Sequence, residues 1–295
     1  AVICLNALTG NVGKAGTFLP TFETFVDMLA GFHTREEEFR QEPFPKDAKP
    51  KIGSAKFPIW SEMVDEAQGM DLLRHWQTKD PYPIRAIYAH GVNNRMYPGS
   101  SLLLDMAKDM EFVVATDIFW TDFCKHADIV LPACTSFERS EVKCYNPGII
   151  VYTSPTIEPL YESLDDVEII TRAARALNLD DELLCAGYDA CVKYIYKDQD
   201  IDLDEVKAAG TLFKIPVDNP PDYLAGPINT SSGKIEFYSE SIAKYKDSHG
   251  LNPLPAFEDG YDCPETEDLD MALITGGRIT NAVHSRLHDV PWLRS

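Results

Sequence analysis

The sequence predicts an α/β protein built on a parallel sheet flanked by helices. Three observations carry that reading. Arg85-Ala86-Ile87-Tyr88-Ala89-His90, Phe112-Val113-Val114-Ala115-Thr116 and Asp128-Ile129-Val130-Leu131 are short runs, largely apolar along their length, as expected of strands covered on both faces. Between the first two, Leu103, Leu104, Ala107 and Met110 recur at helical spacing. Each run ends in residues that break or turn the chain: Gly91-Val92-Asn93-Asn94, then Asp117, then Pro132.

The elements follow in order. Ala1 to about Asp27 reads as the end of a helix entering a glycine-punctuated loop, Thr9-Gly10-Asn11-Val12-Gly13-Lys14-Ala15-Gly16. From Thr34 to Pro58 four prolines and dense charge describe a surface excursion. Helices are expected at Trp60–Gly69 and Asp71–Trp76, stopped by Asp80-Pro81-Tyr82-Pro83. Ser100 to Met110 is a helix with Ser100 or Ser101 as N-cap, and Asp122 to His126 a short one. Leu164 to Leu177 is the clearest helix, because Ile169, Ile170, Ala173, Ala174 and Leu177 share a stripe and Asp165, Asp166 and Glu168 favour its first turn. Asp180–Tyr196 and Asp202–Ala209 are expected to be helical. Pro216 to Pro227 reads as a linker, Ser231 to Tyr238 as a turn and strand, and Met271 to Thr275 as a strand.

Composition bounds the function. The 295 residues suffice for one large domain or two ordinary ones. No apolar run is long enough for a membrane-spanning helix. With 47 acidic and 27 basic residues the net charge is −20 and no basic block interrupts it, which argues against nucleic acid or anionic lipid as partners. Seven cysteines cannot form a complete disulfide framework, and Cys124, Cys134 and Cys144 lack paired metal-ligand spacing. Reduced surroundings fit best. The opening Ala1-Val2-Ile3-Cys4-Leu5 has no Met and no basic region, so the chain reads as an internal piece of a longer polypeptide.

In an open parallel sheet a ligand binds beyond the C-terminal ends of the strands. Gly91 would admit a ligand close to the backbone, the Asn93 and Asn94 amides can donate and accept, and the Asp117 carboxylate suits a guanine edge or a ribose diol. Ordinary turn chemistry would account for the same residues, and spacing alone leaves both readings open. The Gly10–Gly16 loop follows G-x-x-G-x-x-G, neither a dinucleotide fingerprint nor a phosphate loop. Gly276-Gly277-Arg278 with His284-Ser285-Arg286 could hold a phosphate or simply pair with the acidic surface. No catalytic constellation is evident among the scattered histidines.

Four ordered stretches carry a resemblance. Leu8-Thr9-Gly10-Asn11-Val12-Gly13-Lys14-Ala15-Gly16, the Ala115-Thr116-Asp117 to Ala127-Asp128-Ile129-Val130-Leu131-Pro132 and Glu138 stretch, Ser232-Gly233-Lys234-Ile235-Glu236-Phe237-Tyr238-Ser239, and Thr275-Gly276-Gly277-Arg278 with His284-Ser285 resemble the molybdopterin oxidoreductases of the dimethyl sulfoxide reductase family. The chain departs from that pattern where Gly91-Val92-Asn93-Asn94 stands for G-x-N-P, and where Asp122 and Phe123 stand for Thr-Ala.

The resemblance implies a Rossmann-like sheet, as in the middle domains of formate dehydrogenase and dimethyl sulfoxide reductase, with the start of a C-terminal β-barrel. Residues 1–80 would be part of a molybdopterin-binding α/β region with its surface excursion, and 81–215 the guanosine-binding domain. Residues 216–268 would be a linker and strand-turn segment, and 269–295 a truncated start of the dinucleotide-binding domain. It implies bis(molybdopterin guanine dinucleotide) with Mo or W, and a [4Fe-4S] cluster N-terminal to these residues. Cofactor contacts would come from Gly10, Asn11, Gly13, Gly91, Asn93, Asn94, Asp117, Gly276, Arg278, His284 and Ser285. Expected partners are a small-molecule substrate and, for the parent enzyme, an electron-transfer iron–sulfur subunit. The compartment would be the bacterial cytoplasm, or the periplasm through twin-arginine export. The competing reading is a metal-free scaffold like the large iron–sulfur subunit of respiratory NADH dehydrogenase.

Overall fold

The computed structural model describes residues 2–13, 17, 48–64, 66–145, 149–197, 202–210, 213–214, 228 and 230–257. The N-terminal helices are α1 (Val2–Leu8), α2 (Pro58–Met63) and α3 (Leu72–Thr78). Then come β1 (Ala86–His90), α4 (Ser100–Asp109), β2 (Phe112–Asp117) and β3 (Ile129–Pro132). A second sheet holds β4 (Glu141–Tyr145) and β5 (Ile149–Thr153). Helices α5 (Asp166–Ala176), α6 (Tyr188–Ile195) and α7 (Leu203–Ala208) precede β6 (Phe213–Lys214), and α8 (Glu240–Ala243) and α9 (Lys246–His249) follow it.

The first sheet has the order β1-β2-β3 and is parallel throughout, with Ala89 opposite Ala115 and Thr116 opposite Leu131. Asp128, next to β3, starts the second ladder. Its carboxylate accepts the Val113 N–H at 2.7 Å and its own N–H donates to the Val113 carbonyl at 2.8 Å. One face of the sheet meets α4: Ala89, Val113 and Ala115 pack on Leu103, Met106 and Ala107, with Phe123 and Cys124 closing the cluster. The opposite face is less covered among the described residues, since Tyr88 is half exposed although Thr116 beside it is buried. The apolar runs thus give the expected parallel pairing, but their burial is one-sided.

Several boundaries differ from expectation. The N-cap of α4 is Gly99, at φ 70, with no side-chain cap; Ser100 instead accepts a hydrogen bond from the Asn94 amide at 3.0 Å. The helix expected at Asp180–Tyr196 is only α6, because Gly187 at φ 91 and ψ −174 breaks it. The Trp60–Gly69 helix gives way to α2, and the short helix expected at Asp122–His126 is a 3-10 helix at Cys124–His126. Ser231 to Tyr238 forms the turn but no strand: the Glu236 carboxylate folds back to accept the Ser232 N–H at 2.8 Å and the Ser231 hydroxyl at 2.9 Å. The Met271–Thr275 strand and the barrel start lie outside the described residues.

The second sheet is antiparallel, β4-β5-β6, and its core joins Ile150 to Val192 of α6, Tyr196 at the end of that helix and Val206 of α7. Burial pushes the Tyr188 phenol up to about 12, and its oxygen accepts the Val142 N–H at 2.9 Å, fixing α6 against the hairpin. The best-read helix, α5, is capped as the sequence suggests: the Asp165 carboxylate accepts the Val167 N–H at 2.8 Å. Asp165→Ala should cost about 1 kcal/mol, measured as a shift of the urea midpoint at unchanged slope.

Candidate functional site

The C-terminal tips of β1 and β2 lie side by side because the strands are parallel and in register, His90 opposite Thr116. Gly91 leaves β1 at φ 64, and no heavy atom lies within 4 Å of where a Cβ would stand. Its N–H is spent on the Thr116 carbonyl at 2.8 Å, and the space where a side chain would stand is open among the described residues. Asn93 caps the 3-10 turn Asn94–Met96 by accepting the Arg95 N–H at 3.1 Å. Its side-chain amide N–H groups have no protein partner among the described residues.

Asn94 is 2% exposed. Its amide donates to Ser100, while its Oδ1 is buried without a partner among the described residues, which leaves an acceptor open to a donor from elsewhere. Asp117 ends β2. One carboxylate oxygen accepts the Phe119 N–H at 3.0 Å, and the other has no protein partner among the described residues. After it, Ile118, Phe119 and Trp120 project into solvent.

The tip of β3 plays a different part. Glu138 is buried, and its carboxylate accepts from Thr135 N at 2.8 Å, Thr135 Oγ1 at 2.6 Å, Leu160 N at 2.7 Å and Ser163 Oγ at 3.2 Å. The Thr135 hydroxyl foremost, then the Leu160 and Thr135 N–H groups, hold its carboxyl down to about 2. With that acceptor capacity used, Glu138 is a clamp on the loop and contributes no ligand contact.

Two charged features at the tips were not legible in the sequence. His90 Nε2 lies 3.2 Å from Asp166 at the start of α5, and Asp166 is also ion-paired with Arg139, which holds Glu141 at 2.5 Å. Arg95 reaches Asp122 through Nε and Nη2 at 2.8 and 2.6 Å, and Lys125 takes the other oxygen at 2.7 Å. Lys125 first and Arg95 second hold the Asp122 carboxyl at about 2. Asp122, one of the residues that depart from the family pattern, is thus held by Arg95, joining the turn after β1 to the loop after β2.

The structure brings Gly91, Asn93, Asn94 and Asp117 together at neighbouring strand tips. Gly10, at φ 69, and Gly13, at φ 73, follow the end of α1 with Asn11 between them. Among the described residues the Gly10 and Asn11 hydrogen bonds are local, to Ala7, Asn6 and Thr9, while Val12 between the two glycines is buried and in a β-bridge. Gly276, Arg278, His284 and Ser285 lie outside the described residues. No helix among the described residues is long and apolar enough to cross a membrane.

A family model described as molybdopterin oxidoreductase matches residues 1–176. Dimethyl sulfoxide reductase DmsA of Escherichia coli (strain K12) is 23% identical over 334 residues, covering 100% of this chain and 39% of the relative. Trimethylamine-N-oxide reductase of Pasteurella multocida (strain Pm70) is 31% identical over 230 residues, covering 67% of this chain and 28% of the relative. Among solved structures, acetylene hydratase from Pelobacter acetylenicus shares the fold at a TM-score of 0.62 and 22% identity, over 78% of this chain and 32% of that one. The chain thus spans well under half the length of these relatives.

Proposed function

This chain belongs to the molybdopterin oxidoreductase family, and from that premise we propose that its strand tips hold a guanosine end of bis(molybdopterin guanine dinucleotide) in a molybdenum or tungsten enzyme. The observation that carries the reading is the open space over Gly91, beside Asp117 at the adjoining tip. The residues fit the group. Asp117 offers a carboxylate oxygen to paired N–H donors or to a ribose diol, Asn93 offers amide hydrogens, and the buried Asn94 Oδ1, unpartnered among the described residues, can accept a donor. When bound, the cofactor supplies the two-electron redox chemistry; the role of these residues is to bind and orient it.

On this reading the parent enzyme carries out oxygen-atom transfer, or a related two-electron reaction, on a small organic or inorganic substrate. The sequence relatives support it, since their names are those of dimethyl sulfoxide and trimethylamine N-oxide reductases. A [4Fe-4S] cluster and an electron-transfer iron–sulfur subunit belong to the same proposal. So do the dinucleotide contacts of Gly10, Asn11, Gly13, Gly276, Arg278, His284 and Ser285, and the division at 80, 215 and 268.

The test is metal and nucleotide analysis of the complete protein after maturation in its own host. Molybdenum or tungsten, with guanylate released on acid hydrolysis, is the expected result. Asp117→Ala should cut the guanylate retained by about tenfold, the worth of one charged hydrogen bond. Gly91→Val should do the same by filling the space, with about 1–2 kcal/mol of backbone strain at its positive φ seen as a lower unfolding midpoint. Mature protein free of both metals would favour the scaffold reading instead.

A further inference from the structure

The reverse face of the strand tips holds a titratable group that the binding site does not use. Ala89 packs on α4, so His90, the next and last residue of β1, turns to the opposite side of the sheet. Tyr88 shares that side. Its ring meets the His90 imidazole edge to face, 6.2 Å between centroids, and its oxygen accepts from the Thr116 hydroxyl at 3.2 Å. His90 Nε2 in turn lies 3.2 Å from Asp166.

Asp166 is a fixed point. It opens α5, and Leu164, two residues earlier, is bonded to the end of β3 in both directions. The Leu164 N–H donates to the Pro132 carbonyl at 3.1 Å, and its carbonyl accepts the Cys134 N–H at 2.8 Å. The second carboxylate oxygen of Asp166 holds Arg139, whose Nη2 lies 2.5 Å from Glu141 at the start of β4. His90 therefore ties the tip of β1 to the segment anchored on β3, across the back of β2. Gly91 and Asp117, the residues that would face the ligand, stand on the two strands that this tie spans.

We propose that His90 is a positioning residue for the strand-tip site, and that the charge on its imidazole sets how firmly the guanosine end of the cofactor is retained. The inference rests on the cofactor reading above and concerns the regulation of that same site. The ion pair exists only while the imidazole is protonated. Neutral His90 keeps at most a hydrogen bond to Asp166, and Arg139, charged at every working pH, then dominates that carboxylate. The other groups on this face are the Tyr88 phenol and the Thr116 hydroxyl, Glu141 stands behind Arg139, and the neighbouring Asp165 carboxylate is turned to the Val167 N–H. Imidazole is the side chain among these that ordinarily changes charge between about pH 5 and 8. As pH rises the tie weakens and the ligand is released faster.

The experiment dialyses the complete protein, matured in its own host, at about pH 6, 7 and 8, and follows the guanylate still bound by acid hydrolysis of samples taken over time. Wild type should lose guanylate about threefold faster at the highest pH than at the lowest, the effect of a partly exposed ion pair. His90→Gln, which cannot titrate, should show the fast rate throughout. His90→Arg, permanently charged, should show the slow rate throughout. A merely structural role would change the rates without flattening the profile. Should one variant fail to mature, the other carries the comparison. A wild type without pH dependence, or either variant keeping the wild-type slope, overturns the proposal and leaves the cofactor reading intact. Mature protein without guanylate fails earlier, at the cofactor reading, and this proposal falls with it.

Discussion

Glu138→Gln should lower the melting temperature by on the order of 5 °C near neutral pH, and the gap between variant and wild type should close in acid. The glutamine amide keeps the shape but offers one oxygen where four donors converge, and places its own N–H groups against another donor. The sign of the pH dependence follows from the shift. The carboxyl titrates at about 2 in the fold against an ordinary 4.5, so its contribution is complete above about pH 4.5 and is lost as pH falls through about 2. Thermal melts of both proteins between pH 6 and about 2 check this. A constant difference across the range would show that the network is not held by the charge. Guanylate retention should fall less than in Asp117→Ala, since Glu138 shapes the β3 loop and faces no ligand.

Phe123→Ala should cost about 3–5 kcal/mol, the largest single loss expected from this half of the molecule. The ring is 1% exposed and packs in the cluster shared by β1, β2 and α4. Denaturant unfolding would measure it, with Phe119→Ala as the contrast. Phe119 is 74% exposed on the same loop, and its removal should stay within about 0.5 kcal/mol. Because Phe123 anchors the segment that leaves Asp117, its loss should also loosen nucleotide retention, whereas the Phe119 variant should retain it.

The first sheet was legible in the sequence because its strands are short apolar runs with breakers behind them, and α5 because stripe, cap and acidic first turn agree. Other features were not. Helical composition across Asp180–Tyr196 concealed Gly187, whose positive φ decides the boundary. The β4-β5 hairpin carried a signal in the alternation of Glu141-Val142-Lys143 and in Asn146-Pro147-Gly148, which a search confined to apolar runs passes over. At the site, Gly91 and Asp117 could be found from strand ends. The pairing of His90 with Asp166 could not, since nothing local marks partners so far apart in the chain. Glu138 was visible as part of a motif, but only its four donors reveal that the motif preserves a clamp there.

The contact between Arg95 and Asp122 has an evolutionary corollary. Losing Asp122 would leave both Arg95 and Lys125 without their shared partner, so descent should favour altering these positions together. Across sequences of this lineage the arginine and the aspartate ought to appear and vanish together, a correlated signature that marks the subgroup sharing this bridged pair of loops.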